Sequence, residues 1–147
     1  MIEETPEKGY LDEKCVWYFH FLKNLNLKKA FIVNSEDGLD EISPYANTSV
    51  VELSNGHIRE FVLNPSDLNI KVNDFSHIIG KDPIYNAEKI KEIFKGIDTD
   101  FSIAVCLNAA AGLLVADKSN NFYEAYQILR KHILSGKVIN HISKLMK

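Results

Sequence analysis

A chain of 147 residues, 46% hydrophobic and 25% charged, is the size of one ordinary domain and can bury a sizeable core. Its formal charge of −3, with Arg59 and Arg130 the only arginines among 17 basic residues, speaks against general nucleic-acid binding and leaves few bidentate clamps for phosphate. No apolar run approaches the roughly 18 residues needed to span a bilayer, and the acidic residues 1–7 lack the apolar segment of a secretory signal. The expectation is a cytoplasmic protein with neither membrane nor nucleic-acid partners.

Residues 1–8 read as a flexible acidic N-terminus and residues 9–147 as a single α/β domain. A first helix is predicted over 12–25, where Cys15, Val16, Phe19 and Leu22 form an apolar stripe widened by Trp17, Tyr18 and Phe21. A short buried strand follows over 30–34, then the acidic loop 36–43. The segments 48–53 and 58–63 flank Ser54-Asn55-Gly56-His57, and Asn-Gly is the strongest short hairpin signal because both residues tolerate positive φ. Asn64-Pro65-Ser66-Asp67 reads as a turn or a short helix start.

Asp82-Pro83 opens a helix as cap and first helical residue. That helix places Ile84, Ala87, Ile90, Ile93 and Phe94 on one side and stops at Gly96. Residues 101–116 are almost wholly apolar and read as a buried helical spine, with Gly112 implying a close packing neighbour. An amphipathic helix over 122–134 and a short basic helix complete the chain. Cys15 and Cys106 both sit among apolar residues and read as core packing. The five histidines have no ligand spacing that suggests zinc.

The chemistry-bearing feature is Glu36-Asp37-Gly38-Leu39-Asp40-Glu41-Ile42-Ser43, set directly after the strand. Ligands of open α/β sheets tend to bind beyond the carboxyl ends of strands. Mg2+ is usually held by one or two carboxylates plus substrate phosphates, which suits the adjacent pair Asp40 and Glu41. A phosphate cradle needs clustered glycines, and the seven glycines here are isolated from one another.

The order of these motifs resembles that of the anthranilate phosphoribosyltransferase family. Asp37-Gly38-Leu39-Asp40-Glu41-Ile42-Ser43 is similar to its acidic metal-binding motif. Val51-Glu52-Leu53 with Gly56 and Ile58 resembles its hairpin, and Leu63-Asn64-Pro65-Ser66-Asp67 its leucine-x-proline-x-aspartate turn. Gly80-Lys81-Asp82 with Asn86-Ala87, Leu107-Asn108-Ala109-Ala110-Ala111 and Ser135-Gly136-Lys137 resemble segments of its last helices. The resemblance runs from about Gly9 to the C-terminus and covers only the C-terminal part of the family. It implies a truncated C-terminal α/β domain with a mixed or parallel sheet flanked by helices and carrying a β-hairpin insertion.

The resemblance further implies transfer of a phosphoribosyl group from phosphoribosyl pyrophosphate to anthranilate in tryptophan biosynthesis. Asp40 and Glu41 would then be Mg2+ ligands, effective only with substrate phosphates present. The family's phosphate-binding and anthranilate-binding motifs are not found in this sequence, so no catalytic or cofactor-binding residue is assigned and activity alone is not expected. Partners would be a separately encoded N-terminal half or a second copy of the chain, with phosphoribosyl pyrophosphate bound once assembled. The helix over 12–25 is expected to border the surface such a partner covers. The alternative is a non-catalytic remnant or binding module that keeps the fold. The chain departs from the family pattern at Asn34-Ser35 (usually histidine-glycine), at Lys81 (glycine) and at Tyr85 (glutamate).

Overall fold

The computed structural model describes residues 27–72 and 74–145. The helix expected over 12–25, the flexible segment expected over 1–8, and Cys15 lie outside the described residues. Three strands form one sheet in the order β1-β2-β3: β1 is Lys29–Ser35, β2 Thr48–Ser54 and β3 His57–Leu63. Two 3-10 turns, Pro65–Leu68 and Phe75–Ile78, lead on to the helices of the described residues: α1 Pro83–Phe94, α2 Asp100–Val115, α3 Phe122–Leu134 and α4 Val138–Leu145.

The sheet is antiparallel throughout, with Ile32 opposite Val51 and Val51 opposite Glu60. That corrects the expectation of a mixed or parallel sheet among the described residues. Parallel neighbours need a long crossover, usually a helix, whereas residues 36–47 join β1 to β2 through a loop alone. The expected hairpin is present: β2 and β3 are two of the three strands among the described residues. Its turn is the one Asn-Gly predicts, with φ of 49° at Asn55 and 82° at Gly56.

One face of the sheet carries Phe31, Val33, Val50, Phe61 and Leu63 into the main core. There they meet Ile93 of α1, Cys106, Leu107 and Ala110 of α2, and Ala125, Tyr126 and Ile133 of α3. Phe31 sits at the middle of this layer, stacked on Phe122 at 6.0 Å and edge-on to Phe61 at 6.3 Å. Full burial of a side chain such as Val50 or Leu107 contributes about 1.5–3 kcal/mol, which holds the sheet against α2 and α3. On the other face Ala30 and Ile32 pack with buried Val51 and Leu53.

Helix starts are capped by polar side chains, Asp82 among them as expected. Asp82 accepts from the N–H groups of Ile84 and Tyr85, each at 2.9 Å. Asn64 accepts from Ser66 N–H before Pro65, making the Asn-Pro segment a short 3-10 turn. Thr99 and Ser102 form a reciprocal capping box at the start of α2.

Two expectations about the helices fail. Only Ile93 of the α1 stripe is buried; Ile84 is 75% exposed and Ile90 49%. In α2 the buried line is Ser102, Cys106 and Ala110 with Leu107, while Val105, Ala109 and Gly112 are exposed. No atom lies within 4 Å of where a Gly112 Cβ would sit, so the close neighbour inferred for it is not found among the described residues. An all-apolar helix has no polar face by which its buried side could be told from its open one.

Candidate functional site

The acidic loop leaves β1 at Ser35 and is tied at its start by backbone. Ser35 N–H donates to Leu39 C=O and Gly38 N–H to Ser35 C=O, both at 3.0 Å, while Glu36 N–H reaches Asn47 C=O. Gly38 sits at φ 87° in this turn, a conformation glycine adopts without strain. The Ser35 hydroxyl donates to Asn47 C=O at 3.3 Å, joining the loop's two ends.

Asp37 is a structural acid. Its carboxylate accepts from the Ser43 hydroxyl and from Leu39 N–H. Partial burial raises its pKa, but hydrogen bonds from Ser35, Ser43 and Leu39 outweigh that and hold the carboxyl below its ordinary value. Ser43, fully buried, also accepts from Tyr45 N–H at 3.0 Å and Ala46 N–H at 3.3 Å. Its own N–H donates to the Thr48 hydroxyl at 3.1 Å.

The far end of the loop is held from α2. Asn108 accepts from Ile42 N–H and donates to Ile42 C=O, both at 2.9 Å, and donates also to Ala104 C=O at 3.0 Å. The Ile42 side chain between these bonds is 2% exposed. Asp40 and Glu41 therefore lie on a short exposed arc between the Asp37–Ser43 brace and the Ile42–Asn108 brace. Neither carboxylate forms an ion pair or accepts a hydrogen bond among the described residues. Two exposed oxygen donors on a braced arc fit a hard divalent cation whose other ligands come from outside the pair. Among the described residues no group of three or more His, Cys, Asp or Glu side chains could hold a metal by itself.

An open cleft of about 540 Å3 lies beside the loop. Glu36 and residues 44–47 form one wall; residues 64–66 and 70–72 form the other. Asp40 and Glu41 do not line it. Tyr45 closes one corner, donating to Asp100 at the start of α2 at 3.0 Å and lying edge-on to Phe75. His77 Nδ1 lies 2.8 Å from the same Asp100 oxygen. Burial first, then the hydrogen bond to Asp100 and its charge, push the Tyr45 phenol far above its ordinary value.

Sequence reasoning gave no bracing role to Ser35, Asp37, Ser43 or Asn108. One signal was available for Asn108: it is the single polar residue within 103–116 of an otherwise apolar helix, and a buried amide needs partners. The departures at Lys81 and Tyr85 prove to be neighbours. The Lys81 ammonium lies 4.8 Å from the Tyr85 ring centroid, while Lys81 N–H donates to Asn86 Oδ1 at 2.9 Å.

With this geometry described, relatives can be compared. The glycosyl transferase family, a/b domain, matches residues 10–139, and the chain belongs to that family. It is a homologue of anthranilate phosphoribosyltransferase. The enzyme of that name from Pelagibacter ubique (strain HTCC1062) is 52% identical over 138 residues, covering 93% of this chain and 42% of the relative. That from Aquifex aeolicus (strain VF5) is 31% identical, covering 95% of this chain and 40% of the relative. Among solved structures, the enzyme from Thermus thermophilus matches with a TM-score of 0.73 at 26% identity, over 84% of this chain and 36% of that one. The Saccharomyces cerevisiae enzyme in complex with PRPP and Mg matches with a TM-score of 0.66 at 25% identity, over 75% of this chain and 32% of that one. The chain thus spans about two fifths of the length of the curated relatives it matches.

Proposed function

We propose that this chain is the metal-holding, C-terminal part of an anthranilate phosphoribosyltransferase-like enzyme of the cytoplasm. The rest of the site, including its phosphate-gripping side, is supplied by other polypeptide of the family. The observation that carries the reading is the exposed pair Asp40 and Glu41, unpaired among the described residues and suspended between two braces. Their role is positional: both carboxylates offer oxygen ligands to Mg2+ and leave nucleophile and base to other groups. Asp37 and Asn108 fix the arc, so that little ordering remains when metal and phosphates arrive. Mg2+, once bound, offsets the charge that builds on departing pyrophosphate. The complex of a yeast relative with PRPP and Mg supports the substrate class.

The runner-up, a binding module that keeps the fold without the reaction, draws on one observation. The open cleft is lined by residues other than the acidic pair.

The test is calorimetric titration of Mg2+ and phosphoribosyl pyrophosphate into the chain alone, and into the chain mixed with the complementary segment of the Pelagibacter relative. Asp40→Ala/Glu41→Ala serves as control. Weak or no binding alone, with turnover in the mixture that the double substitution abolishes, is the expected result. Tight binding by the chain alone that the double substitution abolishes would refute the need for other polypeptide. Turnover that survives the double substitution would refute the assigned residues.

A further inference from the structure

We propose that His77, Asp100 and Tyr45 form a proton-sensitive clasp that holds the Phe75–Ile78 turn against the corner of the open cleft, firm when the imidazole is charged and slack when it is neutral. The inference stands apart from the reading above, since it needs neither Mg2+ nor phosphoribosyl pyrophosphate.

The clasp joins three elements. Asp100 lies in the first turn of α2. One oxygen of its carboxylate, Oδ2, accepts from the Tyr45 hydroxyl at 3.0 Å and meets His77 Nδ1 at 2.8 Å. An ionised carboxylate only accepts, so Nδ1 carries a proton and the other ring nitrogen is the one that gains or loses its own. That nitrogen, Nε2, lies 3.9 Å from Asp74 Oδ2, and a proton added there finds a second carboxylate. The turn is otherwise lightly held. Asp74 accepts from Ser76 N–H at 2.8 Å and His77 N–H donates to Asp74 C=O at 3.1 Å, both bonds lying within the turn itself. None of its four residues is fully buried.

Among the described residues, the titratable groups facing the imidazole are Asp100 from α2 and Asp74 beside its own turn, with Tyr45 reaching the shared oxygen from the loop. Asp74 and Tyr45 keep one charge state near neutrality. Hydrogen bonds from Ser76, and then the His77 charge, hold Asp74 below the ordinary carboxylate value. Burial, and then the bond to Asp100, hold the Tyr45 phenol far above its own. Histidine is the side chain that ordinarily changes charge between about pH 5 and 8. Charged, the ring makes a charge-assisted bond to Asp100 and faces Asp74 as a cation; neutral, it keeps the Nδ1–H bond and loses both attractions. The hold is therefore complete at the acid end of that range and fades as pH rises.

The imidazole is 60% exposed, so water screens these attractions and the change in hold is modest. Phe75 transmits it to the cleft. Its ring, in the same turn as His77, lies edge-on to Tyr45 with centroids 5.7 Å apart, and Tyr45 lines the cleft. Slackening the turn withdraws Phe75 from Tyr45 and opens that corner toward alkaline pH.

The test is nuclear magnetic resonance of the full chain, titrated from about pH 5.5 to 8. The Tyr45 and Phe75 ring signals should move with the same midpoint as the His77 ring. Protection of the His77 and Ile79 amides, corrected for the intrinsic exchange rate, should fall about two- to fivefold toward the alkaline end. His77→Gln keeps a side-chain donor without the titration, and the Tyr45 and Phe75 signals should then stay flat with pH. In Asp100→Asn, His77 should still titrate while Tyr45 no longer follows it.

Tyr45 and Phe75 signals that ignore the His77 titration would overturn the proposal. So would a pH response that survives in His77→Gln, or protection that rises toward alkaline pH. Should Asp100→Asn fail to fold by circular dichroism, the exposed substitution His77→Gln decides.

Discussion

The Asn108 side-chain amide engages both backbone groups of Ile42, accepting from its N–H and donating to its C=O at 2.9 Å each. Leu107 and Ala110, around it on α2, are fully buried, so this one polar side chain couples the helical layer to the acidic loop. Asn108→Ala leaves two partly buried backbone groups without a partner and should cost about 1–3 kcal/mol in chemical denaturation. Asn108→Asp keeps an acceptor for Ile42 N–H but loses the donor to Ile42 C=O, and should fall between. Amide exchange at Ile42 should rise in the same order.

Glycine substitutions should separate open turns from a backbone seam. A Cβ on Gly38 meets nothing within 4 Å, so Gly38→Ala carries only the strain of its positive φ, about 1–2 kcal/mol. A Cβ on Gly96, also at positive φ, would lie 2.8 Å from Leu134 C=O and 2.9 Å from Gly136 N. Gly96→Ala should therefore lower the denaturation midpoint well beyond Gly38→Ala. Equal midpoints would show that the ends of α1 and α3 are not pressed together.

Acid should loosen the loop through Asp37. Its folded pKa lies below the ordinary 3.8, so its contribution is complete above the unfolded value and is lost as pH falls through the folded one. Asp37→Asn removes that titration. The stability gap between the two proteins should be constant near neutrality and narrow below about pH 4. A gap that widened in acid would contradict the sign.

Lys81 and Tyr85 should be energetically coupled. Reverting both toward the family pattern, Lys81→Gly and Tyr85→Glu, singly and together, completes a double-mutant cycle. A cation–π contact at an exposed site predicts a coupling of about 0.5–1 kcal/mol. A coupling near zero would make the two departures independent.

Much of the fold was legible because its signals are local. Asn55-Gly56 specified the hairpin and with it the strands on either side, and Asp82-Pro83 the start of α1. Burial along α1 and α2 was not legible. Ile84 and Ile90 have the right spacing for a core stripe, but spacing says nothing of whether a partner surface is present. In the site, Asp40 and Glu41 were conspicuous as adjacent acids, whereas their supports were not. Asn108 lies 66 residues from Ile42 in sequence, and no periodicity reports a hydrogen bond across that distance. The direction of β2 was missed because the loop was read for its carboxylates and not for its lack of a crossover.

Ser43 is chemically saturated. A hydroxyl has one proton and two lone pairs; here the proton goes to Asp37 and the lone pairs to the amides of Tyr45 and Ala46. With no accessible surface left, the position has room for neither an extra methyl nor a phosphate. Alanine, cysteine and threonine each fail at least one of these demands, so one of the two braces on the acidic arc rests on a single interchange-proof oxygen.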